Sequence, residues 1–171
     1  MSCSCIKGTG SKFDFKLESV DCKTLLLTDL SNWNDDKGYF IPESHQITVT
    51  LPVSNKQVVV NIKPQGTTVF NGDNLETSEC LPDGIYCFSI DSCGKVYTRF
   101  RAVTCLLECR FDRLTQKLAK KEVSLEKYIE LSNYLEIMKA SAKMDQSQKA
   151  ADFYKILTKE LDNLDCECNC K

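Results

Sequence analysis

Ala102-Val103-Thr104-Cys105-Leu106-Leu107-Glu108-Cys109 marks the point where the chain changes character. Everything before it reads as strands and turns. Everything after it, from Cys105 to Leu164, reads as helix and contains no glycine or proline. All seven glycines and all four prolines lie in the first 94 residues. Glycine and proline punctuate turns and interrupt helices, so this segregation predicts a β module followed by a helical module.

Working back from the junction, Lys95 to Val103 and Gly84-Ile85-Tyr86-Cys87-Phe88-Ser89-Ile90 flank Asp91-Ser92-Cys93-Gly94, which predicts a hairpin with a four-residue connection. Lys56 to Ile62 is β-branched and strand-like, preceded by the turn residues Ser54-Asn55. Gln46 to Leu51 and Phe13 to Glu18 alternate apolar and polar residues, the period of a half-buried strand. Thr24 to Thr28 and Gly66 to Phe70 add short strands, and Asn71 to Asn74 reads as a turn. Asn32 to Lys37, with Trp33 inside it, reads as a loop. Short antiparallel strands at this spacing predict an immunoglobulin-like β-sandwich. Leu81-Pro82-Asp83-Gly84-Ile85-Tyr86 resembles the tyrosine-bearing entry to a late strand of such sandwiches, where the hydroxyl bonds back to the preceding loop.

Working forward, a first helix is expected from about Thr104 to Lys120, with Leu107, Leu114 and Leu118 on one face and Phe111 and Cys109 beside it. Ser124 is suited to cap a second, whose stripe is Tyr128, Leu131, Leu135, Met138 and Ala142. Asp145 is suited to cap a third, with the stripe Ala150, Phe153, Leu157, Leu161 and Leu164. Short connections predict an antiparallel three-helix array. The fold expected is therefore α+β: an arm at 1–11, a β-sandwich domain at 12–103, a helical domain at 104–165 and a cysteine-rich tail at 166–171.

Charge is balanced, with 22 Lys plus Arg against 24 Asp plus Glu. That balance lacks the basic excess of a general nucleic-acid binder, so no sequence-specific nucleic-acid partner is expected. No apolar run reaches transmembrane length, and no membrane partner is expected either. The start, Met1-Ser2-Cys3-Ser4-Cys5-Ile6-Lys7-Gly8, has no apolar signal region, which predicts synthesis in a reducing cytosol. There, most of the eleven cysteines are expected as small buried hydrophobes, Cys87 and Cys109 among them.

Three features invite a chemical reading. Cys166-Glu167-Cys168-Asn169-Cys170, with Cys3-Ser4-Cys5 at the other end, is open to three readings: thiolate metal ligands, an unstructured tail, or disulfides. The single histidine, His45, follows Glu43-Ser44, but strand neighbours point to opposite faces, so it is expected on the surface rather than paired with a nucleophile. Asp29, Asp35 and Asp36 surround Trp33 without the spacing of a calcium loop. No phosphate-binding, dinucleotide or zinc-protease motif is present. Catalytic, cofactor-binding and metal residues are accordingly not assigned, and an enzyme is not expected.

The segment Leu81-Pro82-Asp83-Gly84-Ile85-Tyr86-Cys87-Phe88, followed by Cys105-Leu106-Leu107-Glu108-Cys109 and a C-x-C terminus, resembles small virion proteins of crAss-like tailed bacteriophages of Bacteroidales. The resemblance covers roughly residues 75–171. It implies a non-enzymatic ring or adaptor protein of the portal–tail region, located in the virion and made in the host cytoplasm. Its implied partners are further copies of itself in a homo-oligomeric ring and other portal and tail proteins. A bacterial cytosolic adaptor module is the alternative reading, followed by a metal-binding protein using the cysteine tail.

Overall fold

In a computed structural model, described for residues 12–21, 23–71 and 81–164, strands precede helices, as the α+β reading expects. Seven strands come first: β1 (Phe15–Asp21), β2 (Thr24–Asp29), β3 (His45–Thr50), β4 (Gln57–Ile62), β5 (Thr67–Asn71), β6 (Gly84–Ser92) and β7 (Lys95–Val103). Three helices follow: α1 (Cys105–Ala119), α2 (Leu125–Lys143) and α3 (Ser147–Asn163). The expected arm, positions 72–74 of the expected turn and the cysteine tail lie outside the described residues.

The strands form two antiparallel sheets, ordered β1-β2-β5 and β4-β3-β6-β7. This three-plus-four order is that of an immunoglobulin-like sandwich. Period-two burial explains why each strand takes its face: Val58, Val60 and Ile62 of β4 point inward while the residues between them are exposed. Phe13, Phe15, Leu25, Leu27, Trp33, Ile47, Val49, Phe70, Tyr86 and Phe88 fill the space between the sheets. Phe15 and Phe88 meet across it with ring centroids 5.2 Å apart. The Tyr86 hydroxyl donates to the Pro82 carbonyl at 2.7 Å, so the tyrosine entry expected from the sequence is formed.

The β6–β7 connection is tighter than expected. Pairing continues to Ser92 and Lys95, leaving Cys93-Gly94 as a two-residue turn. Both have positive φ, 53° and 82°, as a type I′ turn requires. Asp91 tightens it by accepting the Gly94 N–H at 2.9 Å.

The helices run antiparallel and cover the outer face of β6 and β7, where Ile85 and Ala102 join the helical core of Leu107, Leu114, Leu131, Met138, Ala150 and Leu157. Ser124 caps α2 as expected, accepting the Lys127 N–H at 3.1 Å. Phe153, expected in the core, is half-buried, with its ring 5.6 Å from that of Tyr134.

Asp145 does not cap α3. Gln146 occupies the cap position without a side-chain bond. Asp145 instead bonds Arg99 of β7 and accepts the Phe100 N–H at 3.1 Å. Arg99 also donates from Nε to the Phe13 carbonyl at 2.5 Å, and Arg101 donates from Nε to the Phe15 carbonyl at 2.9 Å and from Nη2 to Asp14. Two arginines on alternate positions of one strand thus tie three layers together: β7, the edge of β1 and the α2–α3 turn. They also place inward-pointing charge on an edge strand, a device that discourages edge-to-edge pairing.

Candidate functional site

Asp29 ends β2 with its carboxylate buried and both oxygens engaged. It accepts the N–H groups of Ser31 and Gln65, both at 2.9 Å, and the Trp33 indole N–H. That ties the β2–β3 loop to the β4–β5 turn. His45 stacks on Trp33, with ring centroids 4.4 Å apart and planes at 13°. This corrects the expected surface histidine: His45 is half-buried, and its buried Nε2 has no hydrogen-bond partner among the described residues. Burial holds its pKa below the usual histidine range, against the opposing pull of Asp29 and Glu43. Ser44 is exposed beside it.

Asp35 has a different task from Asp29. Its Oδ1 accepts the N–H groups of Lys37 and Tyr39, both at 2.9 Å, while its own N–H donates to the Tyr39 carbonyl at 2.8 Å. Gly38, at φ +90°, supplies the left-handed turn residue that this closure needs. The result is a braced tight turn that presents Tyr39, 70% exposed, and Phe40, 50% exposed. Asp36 lies exposed on the same turn. The structure therefore does not converge Asp29, Asp35 and Asp36 on one point. Among the described residues, no three His, Cys, Asp or Glu side chains are grouped to hold a metal ion.

The sequence reading missed Asp83. Its Oδ2 accepts the Leu107 N–H at 2.8 Å, capping α1 from outside the helix, where the Thr104 side chain makes no cap. Its buried Oδ1 has no hydrogen-bond partner among the described residues. Burial raises the Asp83 pKa above the usual aspartate range, opposed by the amides of Leu107, Leu106 and Cys105 and assisted by Glu108. Asp83 also borders a cavity of about 340 Å³ with Val53, Ile85, Tyr154 and Lys155. Burial and the nearby Asp83 charge raise the Tyr154 hydroxyl well above the usual tyrosine range. Gly84 is obligatory beside it: φ is +137°, and a Cβ would lie 2.7 Å from Pro52 Cβ.

The cysteines divide by exposure. Cys87 and Cys105 are free thiols, and burial raises both pKa values, with Asp83, Glu108 and Asp21 adding to the effect at Cys105. Both therefore stay largely protonated at neutral pH, the less nucleophilic form. Cys93 and Cys109 each carry a disulfide, and both are exposed. Cys109 is thus not the buried hydrophobe expected. It lies two residues from Leu107, about 200° round the helix, away from the buried Leu107, Phe111 and Leu114. Cys3, Cys5, Cys166, Cys168 and Cys170 lie outside the described residues. Comparisons with protein-family models, curated proteins and solved structures found no match for the chain.

Proposed function

We propose that the chain is a structural component of a tailed-phage particle, a ring or adaptor protein of the portal–tail region that assembles as a homo-oligomer. The resemblance in layout supplies the phage context. The observation that carries an assembly role is the braced turn at Asp35–Phe40. It holds two adjacent aromatic side chains in solvent in a fixed geometry, and aromatic anchors dominate binding at protein interfaces. The clamp of Arg99 and Arg101 on Asp145 supports the same reading, because a closed ring needs two different surfaces held at a constant angle.

Native mass spectrometry of the purified chain tests the reading. One discrete oligomer is expected, dissociating in the double variant Tyr39→Ser/Phe40→Ser while circular dichroism is retained. A monomer at all concentrations, together with absence of the chain from purified particles, overturns it. The alternative of an adaptor module rests on the same exposed turn and predicts a monomer that captures a different protein.

A further inference from the structure

The cavity of about 340 Å³ that Asp83 borders lies between the β3–β4 turn and α3. Pro52 and Val53 line it from the turn, Ala151 and Tyr154 from α3, and Ile85 from the start of β6. Asp83 is only 4% exposed. Its Oδ2 accepts the Leu107 N–H, and the Leu106 and Cys105 amides face the same carboxylate. The first turn of α1 thus meets the negative charge. What stays unmet is a hydrogen bond at Oδ1, which has no partner among the described residues. A buried acceptor left bare costs free energy that a single donor restores. Two donors of that neighbourhood do not supply it. The Tyr154 hydroxyl senses the Asp83 charge but makes no bond to Oδ1, and Arg110 donates to Asp162.

Val53 is a second, independent observation. It is β-branched and almost fully exposed, yet it holds a left-handed φ of +70° beside the cavity. Burial within the chain does not offset that strain, and strain kept at a cavity mouth is a mark of binding sites. Together the two observations limit the occupant. A cation has little to gain, because α1 already meets the Asp83 charge and the exposed Lys155 stands at the mouth. An anion is repelled by Asp83. The apolar walls call for an apolar body, and Oδ1 calls for one donor.

We propose that this cavity binds a small apolar molecule carrying one neutral N–H or O–H donor, which donates to Asp83 Oδ1 while its body lies against Val53, Ile85 and Ala151. Apolar walls with one placed polar group are the usual make-up of a small-molecule site. The walls supply affinity, and the carboxylate oxygen selects for the donor. The proposal is independent of the assembly reading and uses none of its residues.

The test uses the full chain and indole as the probe. N-methylindole has the same body without the donor, and tryptamine adds a cation. Binding is read by nuclear magnetic resonance from the amide shifts of Ile85 and Ala151. Indole should bind saturably, and N-methylindole about tenfold more weakly, the worth of one hydrogen bond to a buried acceptor. Tryptamine should bind no more tightly than indole. Asp83→Asn keeps an oxygen for the Leu107 N–H and turns an amide donor to the cavity, so it should erase the discrimination between indole and N-methylindole. Because that change touches the α1 cap, Ala151→Leu serves as a second variant. It fills the cavity from α3, leaves Asp83 in place, and should abolish binding of both molecules with circular dichroism retained. Equal affinity of the parent chain for indole and N-methylindole, tighter binding of tryptamine, or unchanged indole binding in Ala151→Leu overturns the proposal. So does the absence of any shift at about 5 mM indole, which would leave Oδ1 to solvent water alone.

Discussion

Val53 occupies the left-handed region, φ +70°, although it is β-branched and 86% exposed. A bulky side chain there costs about 1–2 kcal/mol and recovers nothing by burial. Val53→Asn, which tolerates that conformation, should therefore raise stability by about 1 kcal/mol in urea unfolding; a loss would mean that Val53 is held by contacts at the cavity mouth. The half-buried His45 and the buried Asp83 give opposite pH signatures. His45 has a lowered pKa, so its contribution is full above the ordinary value of 6.5 and is lost as pH falls through the lowered folded value. His45→Phe should flatten that acid-side loss. Asp83 has a raised pKa, so its contribution is full below the ordinary value of 3.8 and is lost as pH rises through the folded value. Asp83→Asn should therefore gain stability relative to the parent chain as pH rises across that range. A parallel pH dependence for parent and variant would contradict either assignment.

Elements were legible wherever one local period decided them. The alternation at 57–62 and the three-and-four spacing at Leu131, Leu135, Met138 and Ala142 both specify a buried face, and both faces are buried. Leu131→Ala should accordingly cost about 2–5 kcal/mol, while Phe153→Ala should cost less than Leu131→Ala because its ring is only half-covered. Ser124→Ala should cost about 1 kcal/mol through loss of the Lys127 N–H cap. Paired thermal and urea titrations check all three. What the sequence hid was long-range competition for a side chain. Asp145 has the identity of a helix cap, but Arg99 and the Phe100 amide, far upstream, claim its carboxylate. Asp83 looks like a turn residue, yet the helix it caps begins more than twenty positions later. His45 follows a polar stretch, and only the path of the preceding loop brings Trp33 onto its ring. One trace of the clamp was visible: Arg99 and Arg101 stand at alternate positions of a strand whose neighbours at the same face are apolar.

At the scale of the molecule, the two modules are joined by a narrow set of polar bonds as well as by the covered face of β6 and β7. Arg99 and Arg101 reach both β1 and Asp145, so loss of either arginine leaves buried carbonyls without donors. Arg99→Ala/Arg101→Ala should convert one cooperative unfolding transition into two, with the sandwich melting first because its β1 edge loses its tie. A single shared transition would show that apolar packing of the helices on Ile85 and Ala102 is sufficient for coupling. The chain happens to carry its own means of distinguishing these outcomes. Its one tryptophan, Trp33, is fully buried in the sandwich, and the helical module has none. Indole emission therefore follows one half of the molecule while far-ultraviolet ellipticity is dominated by the other. Overlaying the two melting curves, with no label attached, reads out whether the halves part company.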